Sequence, residues 1–97
     1  AAPVFRHDGL ELNPLTREVL FNGKEVTLSQ REFAILESLI RHPGTVISRA
    51  SLEQSVYAWG QEVESNAVEV HISNLRKKLT PKLIKTVRGV GYKLSEL

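Results

Sequence analysis

Between Ser65 and Leu79 the chain reads SNAVEVHISNLRKKL, and the residues suited to chemistry fall on one side of it. Val68, Ile72, Leu75 and Leu79, spaced four, three and four, form an apolar ridge along a helix. Asn66, Glu69, Val70, Ser73, Asn74 and Lys77 are left on the other side. A face that meets only water usually carries more long charged side chains. This one offers short amides, a hydroxyl, an aliphatic group and a basic end. Such groups match the edges of bases in a major groove. Asn pairs with adenine through two hydrogen bonds, Ser bonds several edges, and an aliphatic group touches the thymine methyl. Asn66, Val70, Ser73, Asn74 and Lys77 are therefore candidate base readers. Asn66 has a compatible second reading as the helix N-cap, with Glu69 closing an N-x-x-E box and Ser65 competing for the role. Glu69 itself reads as structural, or as an acceptor from a cytosine amino group.

Charge supports a polyanion partner. Residues 1–69 carry six Lys/Arg and ten Asp/Glu, a balance of −4, whereas residues 70–97 carry seven Lys/Arg against one Glu, a balance of +6. The overall +2 conceals this division. Other chemistries lack their residues. There is no cysteine, so neither a disulfide frame nor a thiolate metal site is available. His7, His42 and His71 show no metal-ligand spacing. Gly89-Val90-Gly91 lies outside any strand–helix unit, so it is not a dinucleotide signature. No nucleophile–base arrangement points to an enzyme. No metal, cofactor or catalytic residue is expected, and no apolar run approaches the roughly 20 residues that cross a bilayer.

The elements that position these groups follow from local grammar. A chain of 97 residues, 41 % apolar and 25 % charged, suits one globular domain rather than a disordered tract. Residues 1–3 read as a linker remnant and 4–97 as the domain. VFRH, LELN, REVLF and KEVTL are four short strands, separated by Asp8-Gly9, Asn13-Pro14 and Asn22-Gly23. Val4, Leu10, Leu12, Val19, Phe21, Val26 and Leu28 are the candidates for their buried side. Ser29 and Glu32 form a capping box, with Leu28 and Phe33 at the staple positions, and His42-Pro43-Gly44 stops the helix. Thr45–Ile47 reads as a minimal strand, and Ser48 caps a second helix with Leu52 and Val56 inward. A loop holds the only tryptophan, and the third helix then runs from Ser65 or Asn66 to Leu79. Leu83–Val87 and Tyr92–Leu94 form a hairpin around a glycine turn. The predicted class is α+β: a four-stranded antiparallel sheet, three helices and a C-terminal β-hairpin, the plan of a winged helix.

NAVEVHISNLRKKL followed by IKTVRGVGYKL, with VTLSQREFAILESLIRHPGTVISRASL upstream, resembles the DNA-binding effector domain of the OmpR/PhoB family of bacterial response regulators. The likeness covers essentially the whole chain, and YAWGQEVESNAVEVH is most similar to the QseB/PmrA-type branch. The resemblance implies a winged helix-turn-helix in a cytoplasmic transcription regulator that binds tandem half-sites on double-stranded DNA. The third helix, about 66–79, would enter the major groove, and the wing, about 83–95, would meet the minor groove or backbone. It implies backbone contacts from Arg49 and His71, and the neighbouring Arg76, Lys78 and Lys85 join them as basic candidates. Arg88 at the wing tip can reach a narrow minor groove or hold a phosphate. Thr86 and the Tyr92 hydroxyl are phosphate donors, and Gly91, with Gly89, lets backbone amides approach the duplex.

The family's receiver domain, phosphorylated on an aspartate by a sensor kinase and driving homodimerisation on DNA, lies outside this chain. The resemblance also implies that the loop bearing Trp59, Glu62 and Glu64 faces RNA polymerase. Family members often carry Arg where Ser73 and Asn74 stand here, which changes the base preference to be expected. The competing reading is a winged helix that binds protein instead of specific DNA.

Overall fold

Two Xaa-Gly pairs set the course of the first strands. In the computed structural model, which describes residues 4–57 and 67–95, Asp8 and Asn22 take φ of 45° and 52°, followed by Gly9 and Gly23 at 83° and 82°. Consecutive positive φ angles give the mirror-image turn whose twist matches an antiparallel pair. The strands are β1 (Phe5–His7), β2 (Leu10–Leu12), β3 (Val19–Phe21) and β4 (Lys24–Glu25), in the order β1-β2-β3-β4. Leu12 stands opposite Val19 and Leu10 opposite Phe21. Leu10, Leu12 and Val19 are thereby buried together, while Phe21, Val26 and Leu28 pack at the edge of the same cluster.

The third strand starts later than the sequence predicts. Arg17 stands at φ 65° in a turn instead of opening the strand. The Asn13 side-chain oxygen accepts from the Leu15 and Thr16 amides at 2.9 and 3.2 Å, and the Arg17 amide donates to the Asn13 carbonyl at 2.8 Å. An Asx side chain that satisfies its own following amides holds them away from a strand ladder.

Helix α1 (Gln30–Ile40) starts at the predicted capping box. The Ser29 hydroxyl accepts from the Glu32 amide at 3.2 Å, and Glu32 accepts from the Ser29 amide at 3.1 Å. Its buried stripe includes Phe33, Leu36, Leu39 and Ile40, and Gly44 reverses the chain at φ 80°. β5 (Ile47–Ser48) leads directly into α2 (Arg49–Tyr57). The Ser48 hydroxyl caps this helix, accepting from the Ser51 amide at 3.1 Å. Helix α1 packs against both α2 and α3 (Ala67–Lys78). Ser38 and Ser55 share a hydroxyl hydrogen bond of 2.8 Å across the α1–α2 contact. No helix among the described residues is long and apolar enough to cross a membrane.

The wing has one strand more than a hairpin. β6 (Ile84–Val87) and β7 (Gly91–Leu94) pair as predicted, but β5 adds to the far side of β7, giving the order β5-β7-β6. The strand expected at Thr45–Ile47 is shifted towards Ser48, because the Thr45 amide is still donating to the His42 carbonyl. Gly91 sits opposite Ser48 on one side and Val87 on the other. A Cβ at Gly91 would collide with the Ile47 carbonyl. Gly91 is therefore a packing glycine, buried in the central strand, a role the sequence reading did not give it, and it also lines the cleft beside the wing.

Substituting Gly91 by Ala must push β5 off β7. Overpacking of this kind costs about 1–3 kcal/mol, which lowers the midpoint of a 97-residue domain by roughly 10 °C. Thermal unfolding of Gly91→Ala measures this; an unchanged midpoint would mean that the β5–β7 contact is slack.

Candidate nucleic-acid interface

Burial of one ridge of α3 commits the other to the surface. Val68, Ile72 and Leu75 are at most 1 % exposed, and Leu79 packs against the same core. Val70 is 48 % exposed, Ser73 and Lys77 are exposed, and Asn74 is half-buried. Glu69, Val70, Ser73, Asn74 and Lys77 line one open depression of about 340 Å³. Four of the five predicted readers are thus brought together; Asn66 lies outside the described residues, as do Trp59, Glu62 and Glu64.

A second cleft of about 340 Å³ runs between α2, α3 and the wing, lined by Arg49, Glu69, Thr86, Arg88, Val90 and Tyr92 among others. Glu69 belongs to both concavities, so the helix face and the wing form one continuous surface. Arg88 is exposed at the wing tip, beside Val90 at 55 % exposure. Lys85 is exposed but stands opposite Lys93. By strand alternation it occupies the side of the hairpin turned away from Thr86 and Tyr92, and it does not line the cleft.

Three predicted backbone ligands already have partners within the fold. Arg76 reaches from α3 to the wing, donating Nε and Nη2 to the Ile84 carbonyl at 3.1 and 2.9 Å and Nη2 to Thr86 Oγ1 at 2.7 Å. Its guanidinium carbon also lies 6.0 Å from the Tyr92 ring centroid. Thr86 accepts from Arg76 and keeps its own hydroxyl hydrogen to donate. The Tyr92 ring is 9 % exposed and belongs to the core, while its cleft-facing part borders the wing groove.

Lys78 is the second. It donates to Glu32 at 2.6 Å, and Glu32 is only 4 % exposed. This carboxylate therefore closes the α1 cap and holds the last turn of α3. Burial alone would raise its pKa. Hydrogen bonds from Lys78 and the Ser29 amide, with the nearby positive charge of Lys78 and His71, override burial and hold it below its ordinary value. Arg49 is the third. Its Nη1 lies 2.6 Å from Glu69 and its Nε 3.3 Å from Glu53, so any phosphate must share it with two carboxylates.

His71 is half-buried, and its buried Nδ1 has no hydrogen-bond partner among the described residues. Burial lowers its pKa, Arg31 lowers it further, and Glu32 opposes both. That side of the ring is turned into the protein rather than towards a duplex. Sequence reasoning missed Glu69 as the member shared by the two depressions. It also missed Val90, although an aliphatic between two turn glycines was visible as a surface apolar tip. The Arg49–Glu53 pair was readable from its i,i+4 spacing; the Arg49–Glu69 pair joins two helices and was not.

A helix with a free polar face, backed by a basic three-stranded wing, defines the winged helix-turn-helix class. Residues 23–94 match the family described as "Transcriptional regulatory protein, C terminal". The chain belongs to this family, the C-terminal effector domains of OmpR/PhoB-type response regulators. It is 48 % identical over 96 residues to the response regulator protein PmrA of Pseudomonas aeruginosa, covering 99 % of this chain and 43 % of that protein. The chain thus spans less than half the length of that relative. Among solved structures, the DNA-binding domain of Escherichia coli CpxR superimposes with a TM-score of 0.83 at 38 % identity, covering 97 % of each chain. The Klebsiella pneumoniae RstA DNA-binding domain, solved in complex with the RstA box, gives 0.81 at 33 % identity, covering 95 % of this chain and 96 % of that one.

Replacing Lys78 by Met leaves the buried Glu32 carboxylate without its cation. Losing a charge-assisted hydrogen bond of this kind costs about 2 kcal/mol. The sign with pH follows from Glu32. A depressed folded pKa contributes stability that is fully present above about 4.5, the carboxyl's ordinary value, and is lost as pH falls through the folded pKa. The stability gap between wild type and Lys78→Met should therefore be full at pH 7 and close in acid. Denaturant unfolding across pH 2–7 checks it; a gap that persists in acid would assign the effect to packing of the lysine stem.

Proposed function

We propose that this chain is the sequence-specific, double-stranded DNA-binding output domain of a cytoplasmic bacterial two-component response regulator that controls transcription. Helix α3 lies in the major groove and the wing rests on the adjacent minor groove or backbone. One geometry carries the reading: the outward face of α3 and the wing cleft meet at Glu69, leaving Val70, Ser73, Asn74, Lys77 and Arg88 on one surface. The family match and the DNA complex of the RstA domain support it. The short amide and hydroxyl of Asn74 and Ser73 read base edges and Val70 meets a thymine methyl. Arg88 and the Thr86 hydroxyl fix register on phosphates. No residue has a catalytic role in this reading.

In the intact regulator, two copies occupy tandem half-sites. Pairing through a receiver domain raises the effective concentration of the second copy to roughly the millimolar range without a new DNA contact. A sensor kinase acting on that receiver would thus switch occupancy by controlling pairing. The segment with Trp59, Glu62 and Glu64 faces RNA polymerase. Replacing both glutamates should impair activated transcription and leave operator affinity intact, and a parallel loss of affinity would refute the assignment.

The direct test is a salt titration of binding to duplexes selected from a random pool. Neutralising roughly 4–6 phosphates gives a log–log slope of about −4 to −5. Asn74→Ala or Ser73→Ala should change preference at particular base pairs. Arg88→Ala should weaken all duplexes alike and reduce the slope by about 1. A flat salt dependence without sequence competition would instead identify a protein-binding winged helix.

A further inference from the structure

An acidic side chain at the centre of a surface for a polyanion needs a physical reason. Glu69 lines both the α3 depression and the wing cleft, and its side chain is 53 % exposed. Within a Debye length of about 10 Å, a carboxylate repels any phosphate, so it lowers affinity for every duplex unless the seated complex returns something. What Glu69 holds is Arg49, at 2.6 Å between Oε1 and Nη1, with Glu53 at 3.3 Å from Nε. Arg49 is the first residue of α2, an end where the helix dipole disfavours a cation. The two carboxylates therefore stabilise a guanidinium that its own helix does not favour, and they do so on the wall of the wing cleft.

We propose that Glu69 is a specificity-determining residue: it suppresses binding to unmatched duplexes more than to matched ones. The inference rests on the DNA-binding reading above. In a loosely held, unmatched complex the phosphates are placed variably. An encounter that draws Arg49 towards a phosphate then strips Glu69 of its cation beside another negative charge. In the matched complex α3 seats at one depth and register. Arg49 can then bond a phosphate while still paired with Glu69, and the carboxylate can also accept from the exocyclic amino group of cytosine in the groove. The charge thus costs affinity chiefly where nothing compensates it, and specificity is that difference between affinities.

The test compares a matched duplex, selected from a random pool, with a scrambled duplex of the same length and composition. Binding of wild type, Glu69→Gln and Glu69→Asp is followed by fluorescence anisotropy across salt, with thermal unfolding to confirm each fold. Removing one repulsive charge at this range is expected to tighten Glu69→Gln on the scrambled duplex by roughly 5- to 10-fold and to steepen its salt slope by about 1. On the matched duplex the lost repulsion is offset by the lost acceptor and the lost hold on Arg49, so affinity gains less there than on the scrambled duplex and the ratio between the two falls. Glu69→Asp, which keeps the charge, should hold the scrambled duplex as weakly as wild type. Equal shifts on both duplexes, or an aspartate variant that loosens discrimination as glutamine does, would overturn this inference alone. A wild-type chain with neither salt dependence nor preference would overturn the DNA-binding reading, and this inference with it.

Discussion

The guanidinium of Arg76 fixes the angle between α3 and the wing, and the proposed interface exists only while that angle is held. Arg76 leaves α3 on the side between the buried ridge and the open face, and spends its donors on the Ile84 carbonyl and the Thr86 hydroxyl. A planar fork with several donors suits this task better than an ammonium, because it bonds two acceptors on one strand in a fixed geometry. Ile84 is anchored in the core, so the clamp ties a groove-facing helix to the sheet through a rigid point.

Glu32 performs the corresponding task on the other side of α3. Its single carboxylate closes the N-terminus of α1 and holds Lys78 in the last turn of α3. A buried carboxylate is tolerated here because hydrogen bonds and a cation satisfy it. Arg76 and Lys78, two of the seven C-terminal cations, are thus held by acceptors within the fold. Glu32 offsets the charge of Lys78 locally, whereas Arg76 bonds neutral acceptors here and keeps its positive charge. The cations left on the surface include Lys77 and Arg88, one on the helix and one on the wing. Lys82 and Lys85 are exposed as well, so the field attracts any duplex, and discrimination falls to the short side chains of the proposed α3 face.

Rules that act within a few residues were legible in the sequence, and partnerships across the fold were not. Asp8-Gly9 and Asn22-Gly23 specify mirror-image turns from their own backbone preferences, and Ser29–Glu32 specifies a cap from its own spacing. Val68, Ile72 and Leu75 gave the orientation of α3, and with it the open face, from period alone. By contrast, Lys78 and Glu32 are 46 positions apart, and nothing local says that either needs the other. A lysine or arginine on a basic helix reads as available until a buried acceptor is placed within its reach. The packing role of Gly91 was hidden for the same reason. Its need for a missing side chain comes from the Ile47 carbonyl on another strand. Arg17 failed differently: the competition between a strand and an Asx-turn at Asn13 was local, and the alternating apolar pattern was given too much weight.

The third strand of the wing has a consequence for how the surface is assembled. β5 runs directly into α2, so pairing of Ser48 with Gly91 also positions Arg49, the next residue. β7 is then a common reference for three parts of the surface: Arg49 through β5, Thr86 through the Tyr92 pairing, and the tip residues through the turn that closes the hairpin. Helix α3 joins this frame through Arg76 and Glu69, which reach β6 and Arg49 respectively. Because α3 and β7 are packed into one core, the proposed phosphate-side and base-side groups keep their mutual spacing. Such an arrangement suits a module whose ligand has fixed spacing between groove and backbone, because errors in docking are shared rather than accumulated. For Ser73 and Asn74 as proposed readers, a small reach then suffices, because the frame that carries them leaves little distance to make up.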